Sequence, residues 1–221
     1  MWPAMKPRTA IRRPHARLAG PLLCAGLLLA SCGDTEFQYP HDAAEGVYFK
    51  VPADWDVSDE TEAFYDGRVD GASTAQPVRV WVVDADPDPD PAHLDDPARD
   101  LPVGIAQIIA VSPSLAEAVS IASVRASGFD FDPVSPPADF EDLWEVTIDQ
   151  PLRTADGISG SVAIFNHRDS VDDPWLTQSR ITFVDPTRQR VYIFDMYCNA
   201  TCFEQYYDDI FDVIDSWRID L

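Results

Sequence analysis

Lysine is almost missing from this 221-residue chain, occurring only at Lys6 and Lys50. The 16 bases stand against 38 acids, 30 of them Asp, for a net charge of −22. A surface of that sign repels phosphate backbones and anionic headgroups, which excludes nucleic acid as a partner and argues against peripheral electrostatic binding to a bilayer. An Asp-rich, Lys-poor surface also suits a saline or high-GC source, so acidity alone marks no binding site. Long apolar runs are missing too. Leu18–Ala30 falls short of the roughly 20 residues that span a membrane. There is no internal repeat, no Gly-x-Ser-x-Gly elbow, no phosphate loop, no dinucleotide fingerprint and no zinc spacing. Histidine is sparse. His41 and His93 sit in polar stretches, and His167 closes an expected strand. His167-Arg168-Asp169 could orient an imidazole, but no nucleophile turn accompanies it, so His167 reads as an isolated surface side chain. The expectation is a protein that is not an enzyme and needs no cofactor. A hydrolase assembled from distant residues is the remaining catalytic reading, one that a pocket lined by His167 with converging carboxylates would favour.

What is present begins with a targeting segment. Lys6, Arg8, Arg12, Arg13 and Arg17 form a basic region, the apolar run follows, and it ends in Leu29-Ala30-Ser31-Cys32. This resembles the lipobox of bacterial lipoproteins, in which small residues precede a cysteine that is acylated and exposed as the new N-terminus. Cys24 is a poorer site because Leu23 is too large for the cleavage pocket. An ordinary secretory signal with an incidental cysteine is the rival reading, and Arg12-Arg13 raises twin-arginine export, though its flanks fit poorly. The resemblance implies that residues 1–31 are a signal peptide and that Cys32 is lipidated, palmitate-type chains holding the protein on the extracytoplasmic face of the cell membrane. Each buried methylene contributes about 0.8 kcal/mol, so several chains make an effectively permanent anchor. Removal of residues 1–31 takes five bases and no acids, leaving 11 bases against 38 acids and a net charge of −27. Residues 32–45 then read as the lipidated terminus and a polar tether whose ends lie about 20 Å apart on average.

From Gly46 the chain carries enough residues, and enough aromatics, for one domain with a sizeable core. Strands are expected at 46–52, 77–84, 103–111, 143–149, 158–167, 175–184 and 190–197, by β-branched content and alternation. Asp156-Gly157 and Asp185–Gln189 read as hairpin turns. A helix is expected from Ser112-Pro113-Ser114 to about Ser127, stopped by Gly128. A second should follow Cys202, with Thr201 and Glu204 at capping-box spacing and Phe203, Tyr207, Ile210, Ile214 and Trp217 on one face. Closely spaced strands with two inserted helices argue for an α+β fold, an antiparallel sheet flanked by helices.

Gly46–Val57, GVYFKVPADWDV, resembles the opening strand and Pro-x-x-Trp turn of PsbP-like domains, and Phe211–Ile219, FDVIDSWRI, resembles their closing helix and short terminal strand. The family is named after an extrinsic protein of photosystem II, and the same fold occurs in a Ran-binding import factor. The resemblance spans roughly Gly46 to Ile219. It implies an α/β/α layered fold and a non-catalytic binding or assembly module, and carries over no functional residue.

Two constellations offer chemistry. Cys198 and Cys202 are close in sequence, and outside the cytoplasm such thiols oxidise, so they read as a structural disulfide fixing a strand-to-helix angle. A redox pair or a metal pair is the sharper alternative, but redox pairs usually have two intervening residues and no histidine lies near. The Asp/Pro-rich loop at 84–102 contains Asp84-x-Asp86-x-Asp88-x-Asp90, which makes Asp84, Asp86 and Asp88 weak candidates for calcium. Pro89 stands where a calcium loop needs glycine, and Pro87, Pro89 and Pro91 should hold the run extended, so a solvated, self-repelling loop is the plainer reading. The expected function is a membrane-anchored, non-catalytic binding or assembly-support lipoprotein with an envelope protein as partner. A small-ligand or calcium-binding lipoprotein using the acidic loop is the alternative.

Overall fold

The computed structural model describes residues 36–68, 75–154 and 157–220, without the side chains of residues 65–68. The signal-peptide and acylation readings, on residues 1–32, and Asp156 of the expected turn lie outside these.

The first described residues already pair. β1 (Phe37–Gln38) joins β4 (Val51–Pro52), while β2 (His41–Asp42) joins β3 (Val47–Tyr48). Residues 36–45 therefore belong to the fold, and the expectation of a free tether reaching Glu45 is corrected. The reason is local. Asp42 is buried, accepts from the amides of Ala44 and Glu45, and pairs with Arg79 at 2.9 Å. Gly46, at φ 65°, turns the chain where a side chain would strike the carbonyl of Asp220.

Next come β5 (Asp56–Asp59) and α1 (Thr61–Arg68). No helix is legible at α1, since its sequence lacks an apolar stripe; the Asp59 carboxylate instead accepts from the Thr61 amide at its start. β6 (Ala75–Asp84) and β7 (Val103–Val111) form an antiparallel pair across the Asp/Pro loop. The helix expected from Pro113 to Ser127 is reduced to a 3-10 turn at Ala116–Ala118 and α2 (Ile121–Arg125). Ser120 explains the break. Its extended backbone and its hydroxyl, which accepts from the Ser123 amide, start a new helix where the old one should continue. β8 (Trp144–Arg153), β9 (Ser159–His167), β10 (Leu176–Val184) and β11 (Arg190–Asn199) follow as a meander of hairpins.

These strands make a seven-stranded sheet in the order β5-β6-β7-β11-β10-β9-β8, antiparallel throughout. Strand dominates, and helices flank it only in part. One face is covered by α3 (Ala200–Gln205) and α4 (Tyr207–Ser216) together with the N-terminal strands. There Phe49 packs on Trp217, Phe194 and Trp81, with ring centroids 5.4, 5.6 and 5.5 Å away. Gly104 admits no side chain on this sheet, because a Cβ would meet the Met196 sulfur at 2.2 Å. The other face carries α2 over one end, the aromatic segment from Phe129 to Phe140 over β8 and β9, and the Asp/Pro loop near β6 and β7.

The closing helix also differs from expectation. β11 runs on to Asn199, whose side chain accepts from the Cys202 amide at 2.9 Å and caps α3. Thr201 thus lies inside the helix, and its capping box with Glu204 does not form. The chain breaks step at Tyr206 before α4, which shifts the buried face: Val213 is buried and Tyr207 is exposed. β12 (Arg218–Ile219) then pairs with the outer side of β3.

Candidate functional site

The second sheet face is not apolar throughout. At its centre β7, β11, β10 and β9 present Ile105, Gln107, Asp195, Tyr197, Gln178, Arg180 and His167, which floor a cleft of about 750 Å³. Phe64 of α1 together with Leu94 and Pro97 of the Asp/Pro loop forms one wall, and Gly128 and Phe129 form the other. Strand alternation explains the gathering, since Gln178 lies opposite Tyr197 and Arg180 opposite Asp195 across β10 and β11.

The charged groups in the floor are closed on one another. Arg180 donates from Nε and Nη2 to the two Asp195 oxygens at 2.7 Å each, and from Nη1 to the carbonyls of Arg125 and Ser127. Its guanidinium lies 4.7 Å from the centre of the Phe129 ring. The Tyr197 hydroxyl donates to the Leu94 carbonyl at 2.9 Å, fastening the loop to the sheet. Burial, with Asp195 and Asp95 alongside, pushes that phenol well above its ordinary range. His167 stacks on Trp144 at 5.0 Å and is half-buried, which corrects the surface reading. Burial lowers its pKa from 6.5, opposed by the charge of Asp169 and a hydrogen bond with Gln178.

The Asp/Pro loop is folded rather than self-repelling. Asp84 is 2% exposed, accepts from the amides of Asp86 and Asp90, and meets His93 Nδ1 at 2.6 Å. Asp86 accepts from the Asp88 amide and pairs with Arg99. The Asp88 amide, with the charges of Arg99 and His93, holds Asp86 below the usual carboxylate range against its desolvation. Asp90 caps the 3-10 turn at Pro91–Asp95, accepting from Ala92. The prolines thus punctuate a chain of Asx turns, in which the carboxylates of Asp84, Asp86 and Asp90 each accept from the amide two residues on. Asp84, Asp86 and Asp88 do not converge on one point, and among the described residues no group of three or more His, Cys, Asp or Glu side chains could hold a metal.

The Cys198 and Cys202 sulfurs lie 2.09 Å apart, at bonding distance, with the Cα atoms 5.9 Å apart. The pair is buried in the main core rather than at the cleft. Cys32 lies outside the described residues, and no described helix is long and apolar enough to cross a membrane.

Sequence reasoning missed the cleft. Two signals pointed to it: Thr177-Gln178-Ser179-Arg180, a polar run inside a strand with neighbours on both sides, and Asp195, a lone acid amid the apolar residues of β11. Phe64, Leu94 and Phe129 gave none.

No protein-family profile matches the chain, and no curated protein matches it. Among solved structures it is similar to CyanoP, the cyanobacterial PsbP of Synechocystis, at 16% identity over 87% of this chain and 99% of that one, with a TM-score of 0.47. LpqN of Mycobacterium tuberculosis, a protein involved in cell envelope biogenesis, matches at 15% identity over 85% and 94%, with a TM-score of 0.45. The Ran-binding protein Mog1p of Saccharomyces cerevisiae matches at 8% identity over 83% and 95%, with a TM-score of 0.44. Likenesses at this level assign neither partner nor activity to this chain.

Proposed function

We propose that this chain is a lipid-anchored extracytoplasmic module with a PsbP-like domain, acting as a non-catalytic binding or assembly-support protein on a partner in the envelope. The observation that carries the non-catalytic part is the closure of the cleft's own chemistry. Arg180 and Asp195 satisfy each other, Tyr197 is held by a carbonyl, and the described residues lining the cleft include no serine, threonine or cysteine. His167 and Asp195 do share the cleft, as a hydrolase would require, but Asp195 is committed to Arg180 rather than to the imidazole. The PsbP-like reading is supported by the way the chain ends, with β11 leading through α3 and α4 to a short strand beside β3. The lipobox at Leu29–Cys32 supports the anchor.

Two measurements test the reading. Wild-type protein should sediment with membranes, and Cys32→Ala should move it to the soluble fraction; a variant equally membrane-bound would overturn the anchor. In-cell crosslinking with pull-down and mass spectrometry should return one recurring envelope protein, and the absence of any would overturn the assembly role. Calcium as ligand finds little support, because Asp84 and Asp86 already bond to His93, Arg99 and backbone amides.

A further inference from the structure

We infer that the outward face of the three-stranded sheet, with the groove beside it, seats on the headgroup layer of a zwitterionic bilayer. The inference rests on the lipid-anchor reading and deepens it, by assigning the side of the domain that meets the membrane. It starts from exposed aromatics. In the sheet β12-β3-β2, Tyr48 lies between His41 and Arg218 and all three are exposed, while alternation turns Asp42, Val47 and Ile219 inward. Tyr39 and Tyr48, 64% and 43% exposed, line a groove of about 330 Å³ with Lys50, Arg218, Asp212 and Asp215. Tyrosine offers a ring and a hydroxyl, the combination that settles where hydrocarbon meets water.

Charge names the kind of bilayer. Lys50 pairs with Asp212 at 3.2 Å, whereas Arg218 donates to the carbonyls of Asp215 and Trp217 and has no carboxylate partner among the described residues. The groove therefore offers both signs. A headgroup with a phosphate and an ammonium matches them, the phosphate toward Arg218 and the ammonium toward Asp215 and the tyrosine rings. An anionic lipid supplies only the first and meets the net charge of the whole molecule.

Chain length argues for what covers the face. Phe37 is five residues from Cys32, so the two Cα atoms are at most about 18 Å apart. Lys50 lies 4.2 Å over the Phe37 ring, which puts the groove beside the strand that leads to the anchor. A lipidated chain this short presents the face at high effective concentration. Weak interfacial contacts then suffice to orient a domain whose net charge would otherwise keep it off a membrane. The cleft lies on the other face of the seven-stranded sheet and is left for a partner.

Fluorescence on the lipidated chain, in phosphatidylcholine and phosphatidylethanolamine vesicles, tests this. A bimane label at His41→Cys reports from the face and one at Ala92→Cys from the exposed cleft rim, each read against headgroup spin-labelled lipid. The first should be quenched and the second should not. Tyr39→Ser with Tyr48→Ser should lose the quenching while the protein still sediments with the vesicles and melts at an unchanged temperature. Tyr39→Trp with Tyr48→Trp should keep it. Anionic lipid at about 10 mM NaCl, where the screening length is about 30 Å, should weaken it. A vesicle-bound chain with an unquenched His41→Cys label, equal quenching at both sites, or quenching that survives the serine pair would overturn the inference and leave the face to a protein partner. Stronger quenching on anionic lipid would overturn it as well. Sedimentation reads the anchor separately: protein left in solution sinks anchor and face together, whereas bound protein without contact sinks the face alone.

Discussion

Arg180 and Asp195 face each other with side chains 7% and 6% exposed, so neither charge has water to fall back on. Removing one partner leaves the other buried and unpaired, which costs about 3–5 kcal/mol; replacing both with apolar residues does not. Asp195→Ala should therefore lower the urea midpoint sharply, while Arg180→Met combined with Asp195→Leu should recover most of it. His167 gives a pH signature. Its folded-state pKa is depressed by burial, so below pH 6.5 the unfolded chain takes up a proton that the native ring refuses. Stability is then complete above that pH, falls as pH drops through it, and levels off once the native ring protonates as well. His167→Phe preserves the stacking on Trp144 and should flatten this part of the melting-temperature profile, the other histidines cancelling in the comparison. Neither feature was fully legible in the sequence. Asp195 stood out as an acid among apolar neighbours, but its partner lies 15 residues away across a hairpin, and only the register identifies it. His167 looked like a surface residue because Phe129, which packs against it, arrives from a distant loop.

At the level of elements, the join between β11 and α3 concentrates two devices within five residues. The Cys198–Cys202 link closes a short loop, for which chain-entropy arithmetic gives about 2 kcal/mol, and Asn199 capping contributes about 1 kcal/mol. Denaturant titration of Cys198→Ala/Cys202→Ala should show a loss near the first figure, and dithiothreitol should then have no further effect. Asn199→Ala should lose somewhat more than the cap alone, since its amide also reaches the Ala98 carbonyl and Asp100. The cysteine spacing made this corner readable. The strong strands were readable too, since Val, Ile and aromatic residues dominate β6, β7 and β11. Helices were less so. α1 has no apolar stripe, the region before α2 is interrupted by a serine that competes for backbone amides, and the Tyr206 step defeats a count carried through from Phe203. The cleft was the least legible, because it is assembled from α1, a loop, four strands and the segment after α2.

For the molecule as a whole, 38 acids against 11 bases beyond residue 31 make self-repulsion a standing cost. Raising NaCl from about 10 mM to 0.5 M should increase the urea midpoint, since screening relieves many unpaired carboxylates and weakens few ion pairs. A falling midpoint would mean that pairs such as Arg79 with Asp42 and Arg125 with Asp132 dominate instead. The N-terminal pairing carries a mechanical consequence. Were Cys32 fixed in a bilayer, as proposed, tension on the domain would load β1 and β2 first, which are held by two-residue pairings together with the Asp42–Arg79 and Glu45–Arg190 ion pairs. Peeling them away would pay out about ten residues of chain, roughly 35 Å at full extension. β12 would remain zipped to the opposite side of β3, and the seven-stranded sheet would stay intact. On that proposal the segment would serve as a leash, paying out chain under load and pairing again once released.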